Sequence, residues 1–219
     1  MMQKQPENMK KIVKYIVFAV MWLWSKIYTY IFSFWLKNKR DVLYTMWISS
    51  FLGDVGNNVR FSHPLYLEGK GQRNICIGNG TFIGHHTILG SWIKYGNDVF
   101  TPQIKIGNNC SIGDYNHITA IDKITLGDGV LTGRFVYIGD SAHGGLSLEE
   151  ANIPPVKRKL LSKGEINIGQ NVWIGDKVTI LGGVTIGDNA IIGAGSVVNS
   201  NVPSNSMVAG VPAKLVKQV

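Results

Sequence analysis

The sequence contains little cysteine. Cys76 and Cys110 are its two cysteines among 219 residues, too few for the disulfide framework that staples small secreted domains. Cys110 also falls at a repeat position where a small apolar residue is expected. We therefore expect both thiols to be structural and the protein to fold in a reducing, intracellular compartment.

Acidic residues are also scarce. The chain has 14 Asp and Glu against 22 Lys and Arg, which gives a formal net charge of +8. This balance favours an anionic partner: nucleic acid, an acidic membrane surface or a phosphate-rich cofactor. The sequence has no nucleic-acid-binding motif, so we expect no nucleic-acid partner. The bases cluster in segments 4–14, 37–40 and 157–163.

The apolar run 12–36 has no signal-peptide cleavage site, because bulky aromatic residues stand where small ones would be needed. Lys14 and Lys26 leave uncharged stretches of eleven and ten residues, which is short for a transmembrane helix. We expect a helix or helical hairpin in a membrane interface, with its rings at headgroup depth. The alternative is a helix packed against a neighbouring subunit. A short helix that leads into the repeat region is expected at 41–52.

An uninterrupted six-residue repeat occupies 168–203. Every sixth residue from Ile168 to Val198 is Ile or Val, and a second, mostly apolar column begins at Val172. The same register recurs upstream from Ile77. Of the fifteen hexads, fourteen begin with Ile, Leu or Val and twelve have Gly second. Each hexad has room for one short strand and one tight bend, so stacked hexads bury a continuous apolar column.

The hexads group in threes, and each group of eighteen residues is predicted to be one triangular coil. Insertions at 95–105, at Ile124 and Thr125, and at 144–167 separate the groups. Loops expelled from a repeat scaffold are common places for binding and catalysis. The longest insertion follows His143, which we predict to be the last residue of its coil.

Three motifs carry a resemblance to a known family: NVWIG at 171–175, GAGSVV at 193–198 and AGVPAK at 209–214. They resemble the hexapeptide-repeat acyltransferases, and within them the branch that O-acetylates sugars and polysaccharides, alongside the galactoside and maltose acetyltransferases. The resemblance covers roughly 53–219. It implies an all-β solenoid, a left-handed parallel β-helix of about six triangular coils.

We expect three parts in the chain. The first, 1–52, is a basic and aromatic helical segment that associates with a membrane. The second, 53–205, is the β-helix acyltransferase domain with the inserted loop 144–167. The third, 206–219, is a tail that closes the helix.

His143 is the predicted catalytic residue. Acyl transfer from a thioester to a hydroxyl needs a base, and histidine titrates nearest to neutral pH. The segment IGDSAHG at 138–144 resembles the segment that carries the general base in the polysaccharide branch, although relatives often have another His where this chain has Ser141. Asp140 or Asp122 is the candidate to orient the imidazole. The alternative is an ordinary surface histidine at a corner.

Asn116 and Asp122 occupy inward repeat positions where other hexads have small or apolar residues. An unpaired polar group inside a coil is costly, so either the coil is distorted there or both side chains face a groove. The resemblance implies that acceptor contacts come from this region, with Asp114, Asn116 and Asp122 gripping sugar hydroxyls and Trp173 beside the groove. A distorted turn and a ring packed on the wall are the structural alternatives.

The resemblance also implies acetyl-CoA as the acyl donor. The pantetheine arm needs backbone amides along a groove, and the phosphates need Lys or Arg. The candidate cofactor-binding residues are Gly182, Gly183, Ala194, Gly195, Ser200, Lys214 and Lys217. Relatives often have Lys at the position of Ser200, so phosphate binding would lean more on Lys214.

No metal site is expected. The repeat register puts His85 and His86 on the second face of the first coil, His117 on the second face of the next, and His143 on a third face. No pair of histidines has the close spacing of a metal-binding motif.

The sequence as a whole predicts an acetyl-CoA-dependent O-acetyltransferase that acts on a saccharide hydroxyl of a cell-envelope or capsular polysaccharide precursor. The resemblance implies a homotrimer with active sites between subunits. We expect a cytoplasmic protein held on the inner face of the cytoplasmic membrane. Two alternatives stay open: an N-acetyltransferase acting on an amino-sugar or antibiotic, and a non-catalytic, membrane-bound solenoid scaffold.

Overall fold

The structure, a computed structural model, describes residues 7–145 and 147–219. Helix α1 spans Glu7–Ile27 and helix α2 spans Tyr30–Ser49, and short 3₁₀ helices span Gln72–Asn74 and Pro155–Lys157. The strands are, in chain order, β1 (Arg60–Phe61), β2 (Leu65–Glu68), β3 (Ile75–Ile77), β4 (Phe82–Ile83), β5 (Thr87–Ser91), β6 (Lys94–Tyr95), β7 (Asp98–Val99), β8 (Gln103–Ile106), β9 (Ser111–Ile112), β10 (His117–Ala120), β11 (Lys123–Leu126), β12 (Leu131–Thr132), β13 (Tyr137–Gly139), β14 (Ser141–His143), β15 (Leu160–Ser162), β16 (Ile166–Ile168), β17 (Trp173–Ile174), β18 (Thr179–Leu181), β19 (Thr185–Ile186), β20 (Ile191–Ile192), β21 (Val197–Val198), β22 (Ser206–Ala209) and β23 (Lys214–Gln218).

The chain divides into two compact units, one ending at Arg40 and the other running from Asp41 to Val219. In the first unit, large apolar side chains of α1 are exposed, and Phe18, Trp22 and Trp24 are each more than half exposed. No single helix among the described residues is long and apolar enough to cross a membrane. The bent pair Met9–Ile27 and Tyr30–Ser49, with 63° between its helices, is compatible with a broken span by length and composition only.

Residues 41–49 are helical as predicted, but they continue α2 instead of forming a short helix of their own, and the helix ends at Ser49. The chain breaks earlier, at Tyr28 and Thr29. Thr29 acts as an N-cap for α2, since its Oγ1 accepts a hydrogen bond from the Phe32 N–H at 3.2 Å. Residues 37–40 contain neither Gly nor Pro, so nothing interrupts the helix there.

Three sheets form the wall of the second unit, with parallel pairing except at the outermost strand β23, which pairs antiparallel with β22. Sheet A has the order β19-β16-β11-β8-β3, sheet B has the order β1-β4-β9-β12-β17-β20-β22-β23, and sheet C has the order β2-β5-β10-β13-β18-β21. Successive strands of the chain enter the three sheets in turn, and each strand pairs with the equivalent strand of the next coil. In sheet C, for example, Ile118 pairs with Leu89 on one side and with Ile138 on the other. The fold is therefore a parallel β-helix; its predicted coil number stays a prediction.

The inward columns predicted from the repeat are confirmed. All fifteen first-position residues are at most 3% exposed, and the second column from Val172 to Val202 is at most 5% exposed. The degenerate repeat after Val55 also forms a coil, because Val55 bridges to Ile77 and β1 pairs in parallel with β4. The end of α2 closes the core there by burying Ile48, with Leu52 buried just beyond it.

The predicted insertions have different limits in the structure. Ile124 and Thr125 are not inserted between coils, because they lie within β11 and pair with Ile104 and Lys105 of β8. Sheet A simply has longer strands than one hexad predicts. The first insertion forms the antiparallel hairpin β6–β7.

His143 is not the last residue of its coil, contrary to the prediction. It ends β14, which pairs antiparallel with β15 and so already belongs to the long insertion. The coil ends one residue before β14, at Asp140, whose buried carboxylate accepts hydrogen bonds from the N–H groups of Ile121 and Asp122, both at 2.9 Å. We call residues 141–145 and 147–162 the arm.

Asn116 lies inside the coil and neither distorts it nor faces a groove. Its side chain is 1% exposed. The amide nitrogen donates to Thr132 Oγ1 and, at 3.1 Å, to the Gly133 carbonyl, and the amide oxygen accepts from the Val136 N–H at 2.7 Å. The amide therefore bonds both a side chain and backbone groups of the next coil.

Replacing Asn116 with Ala should lower the free energy of unfolding by about 1–3 kcal/mol, because the Val136 N–H is then buried without an acceptor. We expect the apparent Tm to fall by roughly 3–10 °C in a thermal scan followed by circular dichroism. Asn199→Ala, at an exposed corner, is the matched control and should leave Tm unchanged. Equal Tm values for the two variants would contradict the structural role of Asn116.

Candidate active site

His143 stands on the edge of the β-helix where sheet C ends and sheet A begins. This edge, which we call the arm edge, carries segments 92–102, 121–122, 140–145, 147–165 and 182–184 between strands of the two sheets. The side chain of His143 is exposed. Its ring packs edge to face against Tyr95 of the β6–β7 hairpin, with ring centroids 5.3 Å apart and planes at 71°. The imidazole is thus held at the outside of the wall, where a substrate has access.

Asp140 and Asp122 are neighbours of the arm but not hydrogen-bond partners of His143 among the described residues. Both carboxylate oxygens of Asp140 are occupied by backbone N–H groups at the start of β11. Burial raises the pKa of the Asp140 carboxyl above its ordinary value, the two N–H groups oppose the rise, and the charge of Asp122 adds to it. Asp122 is partly exposed and accepts a hydrogen bond from Ser162 Oγ at 3.5 Å. Asp140 therefore fixes the backbone of residues 121–122, and with it the position of Asp122.

Two clefts flank Asp122 on the arm edge, and both are lined by Phe100 and Thr101 as well. One has a volume of about 500 Å³ and a polar lining that includes Gln103 and Glu165. The other has a volume of about 370 Å³ and lies against the arm, where its lining includes Leu160, Leu161 and Ser162. Leu160 of β15 is the residue that pairs with His143 of β14. Asp122 is thus the predicted acceptor residue that shares this edge with His143.

Asp114 lies on the opposite side of sheet C, on the edge between sheets B and C that we call the far edge. Its Oδ1 accepts the backbone N–H of His85 at 2.9 Å and lies 3.1 Å from His85 Nδ1, and its Oδ2 is 3.5 Å from Arg134. Burial alone would raise the pKa of Asp114, but these hydrogen bonds and the Arg134 charge outweigh it and lower the pKa below its ordinary value. Within one chain Asp114 does not approach the arm.

Trp173 and Asn116 are also separate from His143. Trp173 projects from sheet B, 52% exposed, and its neighbours across the ladder are Leu131 and Ile191. Asn116 is enclosed in the coil, with its amide used by backbone groups. Of the predicted acceptor residues in a single chain, the structure brings Asp122 alone to the arm edge.

The candidate donor residues fall on two edges. Gly182 and Gly183 follow β18 on the arm edge, where a Cβ on Gly182 would lie 2.8 Å from the Asp140 carbonyl oxygen. Gly183 has φ +80° and its N–H donates to the Gly164 carbonyl at 2.9 Å. Both glycines therefore let the backbone pack closely against the two ends of the long insertion. Ser200 is exposed on the same edge one coil further on.

Ala194 and Gly195 lie instead on the far edge. Gly195 has φ +70°, and a Cβ built on it would have open space within 4 Å. Lys214 and Lys217 project from β23, the outermost strand of sheet B, and both are exposed. These four residues leave an open, basic surface at the end of the β-helix.

The histidines are arranged differently from the prediction. His117 lies in sheet C, the sheet that precedes His143, rather than on the second face of its coil; it packs against Tyr137 with ring centroids 5.4 Å apart. Burial lowers the pKa of His117, against a smaller raising effect of Glu68. Within residues 7–145 and 147–219, no three His, Cys, Asp or Glu side chains are grouped so that they could hold a metal ion.

Tyr95 is the contact residue that sequence reasoning missed. Its position in the first insertion gave no signal, because its contact with His143, 48 positions further along the chain, arises only when two loops fold onto one edge. The ion pair of Lys159 with Asp98, at 3.7 Å, joins the same two segments. The sequence would predict this contact only if the strand register, which places the two insertions on the same edge, were already known.

Comparison with known proteins agrees with this architecture. Residues 165–200 match the family model for the bacterial transferase hexapeptide (six repeats). The chain is 40% identical over 119 residues to a putative lipopolysaccharide biosynthesis O-acetyl transferase, WbbJ, of Escherichia coli K12, covering 52% of this chain and 60% of that one. It is 38% identical over 127 residues to the galactoside O-acetyltransferase of the same organism, covering 55% and 56%. The match thus spans less than two thirds of either relative.

Among solved structures, the fold is similar to AntD, an N-acyltransferase from Bacillus cereus in complex with dTDP and 3-hydroxybutyryl-CoA. The TM-score is 0.63 at 22% identity, and the match covers 78% of this chain and 85% of that one. This likeness supports the left-handed winding of the β-helix. Residues 165–200 therefore carry the hexapeptide repeat of the bacterial transferase type, and the two curated relatives confirm the resemblance to the hexapeptide-repeat acyltransferases.

Proposed function

We propose that the chain is an acetyl-CoA-dependent O-acetyltransferase that acetylates a hydroxyl of a saccharide, a cell-envelope or capsular polysaccharide precursor. The observation that carries the proposal is His143, an exposed imidazole whose nitrogens have no hydrogen-bond partner among the described residues, at the edge of a hexapeptide-repeat β-helix. The names of the two E. coli relatives support the O-acetyl chemistry.

His143 acts as the general base of a direct transfer. Its free ring nitrogen takes the proton of the acceptor hydroxyl as the oxygen attacks the thioester carbonyl. The new C–O bond forms, the C–S bond breaks, and the imidazolium returns the proton to the departing thiolate. A backbone N–H stabilises the oxyanion, and no covalent acyl-enzyme is needed. Asp122, on the same edge, grips the acceptor.

The donor fits the open surfaces of the last coils. The space around Gly195 accepts a pantetheine arm close to the backbone, and the ammonium groups of Lys214 and Lys217 are exposed and suited to phosphate. Because these residues and Gly182 lie on different edges of one chain, a single chain does not surround the donor.

A homotrimer resolves this separation. In it the arm edge of one subunit faces the far edge of the next, so that His143 and Asp122 of one copy meet Asp114, Ala194 and Gly195 of another. The two sets of site residues then line one groove between subunits.

An N-acyltransferase is the second candidate, favoured by the structural similarity to AntD. The same base serves an amine acceptor, so the chemistry of the arm does not separate the two. A panel that contains matched hydroxyl and amino sugars does so directly.

The amino-terminal helices are proposed to hold the protein on the inner face of the cytoplasmic membrane. Lys26 lies 5.5 Å above the Trp22 ring and Lys39 lies 5.8 Å above the Trp35 ring, an arrangement suited to the headgroup region. A spanning helix would put Lys26 in hydrocarbon at a cost of about 2.5–3.5 kcal/mol and leave one basic cluster outside. An interfacial helix pair avoids both penalties.

Replacing His143 with Ala should reduce acetyl transfer by about 10²–10⁴-fold, the usual contribution of a general base, while folding and trimer assembly persist. The measurement is release of coenzyme A thiol with a saccharide panel, alongside light scattering for assembly. Ser141→Ala, on the same strand, is the control and should keep nearly full activity. A His143→Ala enzyme with wild-type turnover would remove His143 from the mechanism.

Removing the first unit should release the protein from membranes. We expect the full chain to sediment with anionic vesicles and a chain starting at Asp41 to stay in the supernatant, because the second unit begins at Asp41. The truncated chain keeps the part of α2 that buries Ile48, so it should retain its fold by circular dichroism. Equal sedimentation of the two chains would show that the segment packs within the trimer instead.

A further inference from the structure

The two insertions on the arm edge are joined at Tyr95. Its hydroxyl donates to the Val156 carbonyl of the arm at 3.0 Å, and its ring packs against His143. A second contact, Lys159 Nζ to Asp98 Oδ1 at 3.7 Å, ties the other strand of the β6–β7 hairpin to the arm, since Asp98 of β7 pairs with Tyr95 of β6. One tyrosine therefore contacts both the start of the arm and a point thirteen residues further along it.

A general base has to be held in one orientation, because misplacement by about 1 Å can cost roughly 100-fold in rate. Histidine bases are usually oriented by a carboxylate on the second nitrogen. Among the described residues no carboxylate bonds His143: Asp140 accepts two backbone N–H groups, Glu150 accepts the Gly145 N–H, and Asp122 accepts Ser162. Within the part of the chain that the structure describes, the ring contact with Tyr95 is the side-chain interaction of His143.

We infer that Tyr95 is a positioning residue that holds the imidazole of His143 through ring contact and holds the arm through its hydroxyl. The inference rests on the proposed role of His143 as base. Edge-to-face packing restricts rotation of the imidazole and leaves its nitrogens available for the acceptor. The hydroxyl contact is a second tie between the hairpin and the arm, beside the Lys159–Asp98 ion pair, so the arm stays in place when either tie alone is lost.

Two substitutions separate these contributions. Tyr95→Phe keeps the ring and loses the bond to Val156, so kcat should stay within about 3-fold of wild type. Tyr95→Ala loses both, and kcat should fall by about 10–100-fold while KM for acetyl-CoA changes by less than about 2-fold, since the loss is in orientation and not in binding. Asp98→Ala removes the other contact between the two insertions without touching the imidazole, and it should resemble wild type.

A double-mutant cycle tests whether Tyr95 acts through His143. In a His143→Ala background, Tyr95→Ala should cause no further loss of rate, because residues that act as a unit are not additive. A second loss as large as the first would overturn the inference, as would an Asp98→Ala enzyme as impaired as Tyr95→Ala, since arm folding alone would then explain the effect.

A measurement without turnover separates this inference from the proposed function. The full chain in detergent is labelled at histidine ¹³Cε1, and His143→Ala assigns the His143 resonance. The Tyr95 ring current should shift that resonance; the shift should persist in Tyr95→Phe and vanish in Tyr95→Ala. An unchanged resonance in Tyr95→Ala overturns the inference. A wild-type protein with the shift but without acetyl transfer to any acceptor would refute the proposed function and support the ring contact.

Discussion

Parallel, in-register stacking of inward aliphatic side chains is the constraint on which the structure depends. Each residue of the column, such as Ile118, packs between its equivalents in the coils before and after it, so the apolar surface of one coil is buried only by the next. The walls are therefore filled and chemically inert. Functional residues therefore have to lie on the edges, where loops can be inserted between strands while the coils on either side stay paired.

Asp140 shows how the chain leaves the register at the arm edge. A buried carboxylate is costly unless it is hydrogen-bonded, and here the N–H groups of Ile121 and Asp122 from the preceding coil supply the bonds. The neighbouring coil on the other side contributes Gly182, because any side chain there would meet the Asp140 carbonyl. The arm thus starts from a rigid, fully paired corner, and the exposed imidazole of His143 lies three residues beyond it.

The inward columns could be predicted from the sequence, because the six-residue spacing of aliphatic residues is enough to identify which positions are buried. The edges could not, since a period says nothing about what an insertion folds against. Ile124 and Thr125 look like an insertion by count but lengthen a strand of sheet A, and Asn116 looks exposed by polarity but bonds backbone groups of the next coil. Tyr95 could not be linked to His143 by spacing, because their contact depends on two hairpins meeting at one edge.

We propose that acyl transfer takes place at the arm edge beside His143. A crystal structure of the full chain with coenzyme A tests this most directly. We expect the thiol to lie next to the His143 imidazole, with room for an acceptor hydroxyl at about 2.6–3.2 Å from a ring nitrogen. A thiol seated on sheet B beside Trp173, away from the arm of every subunit, would contradict it.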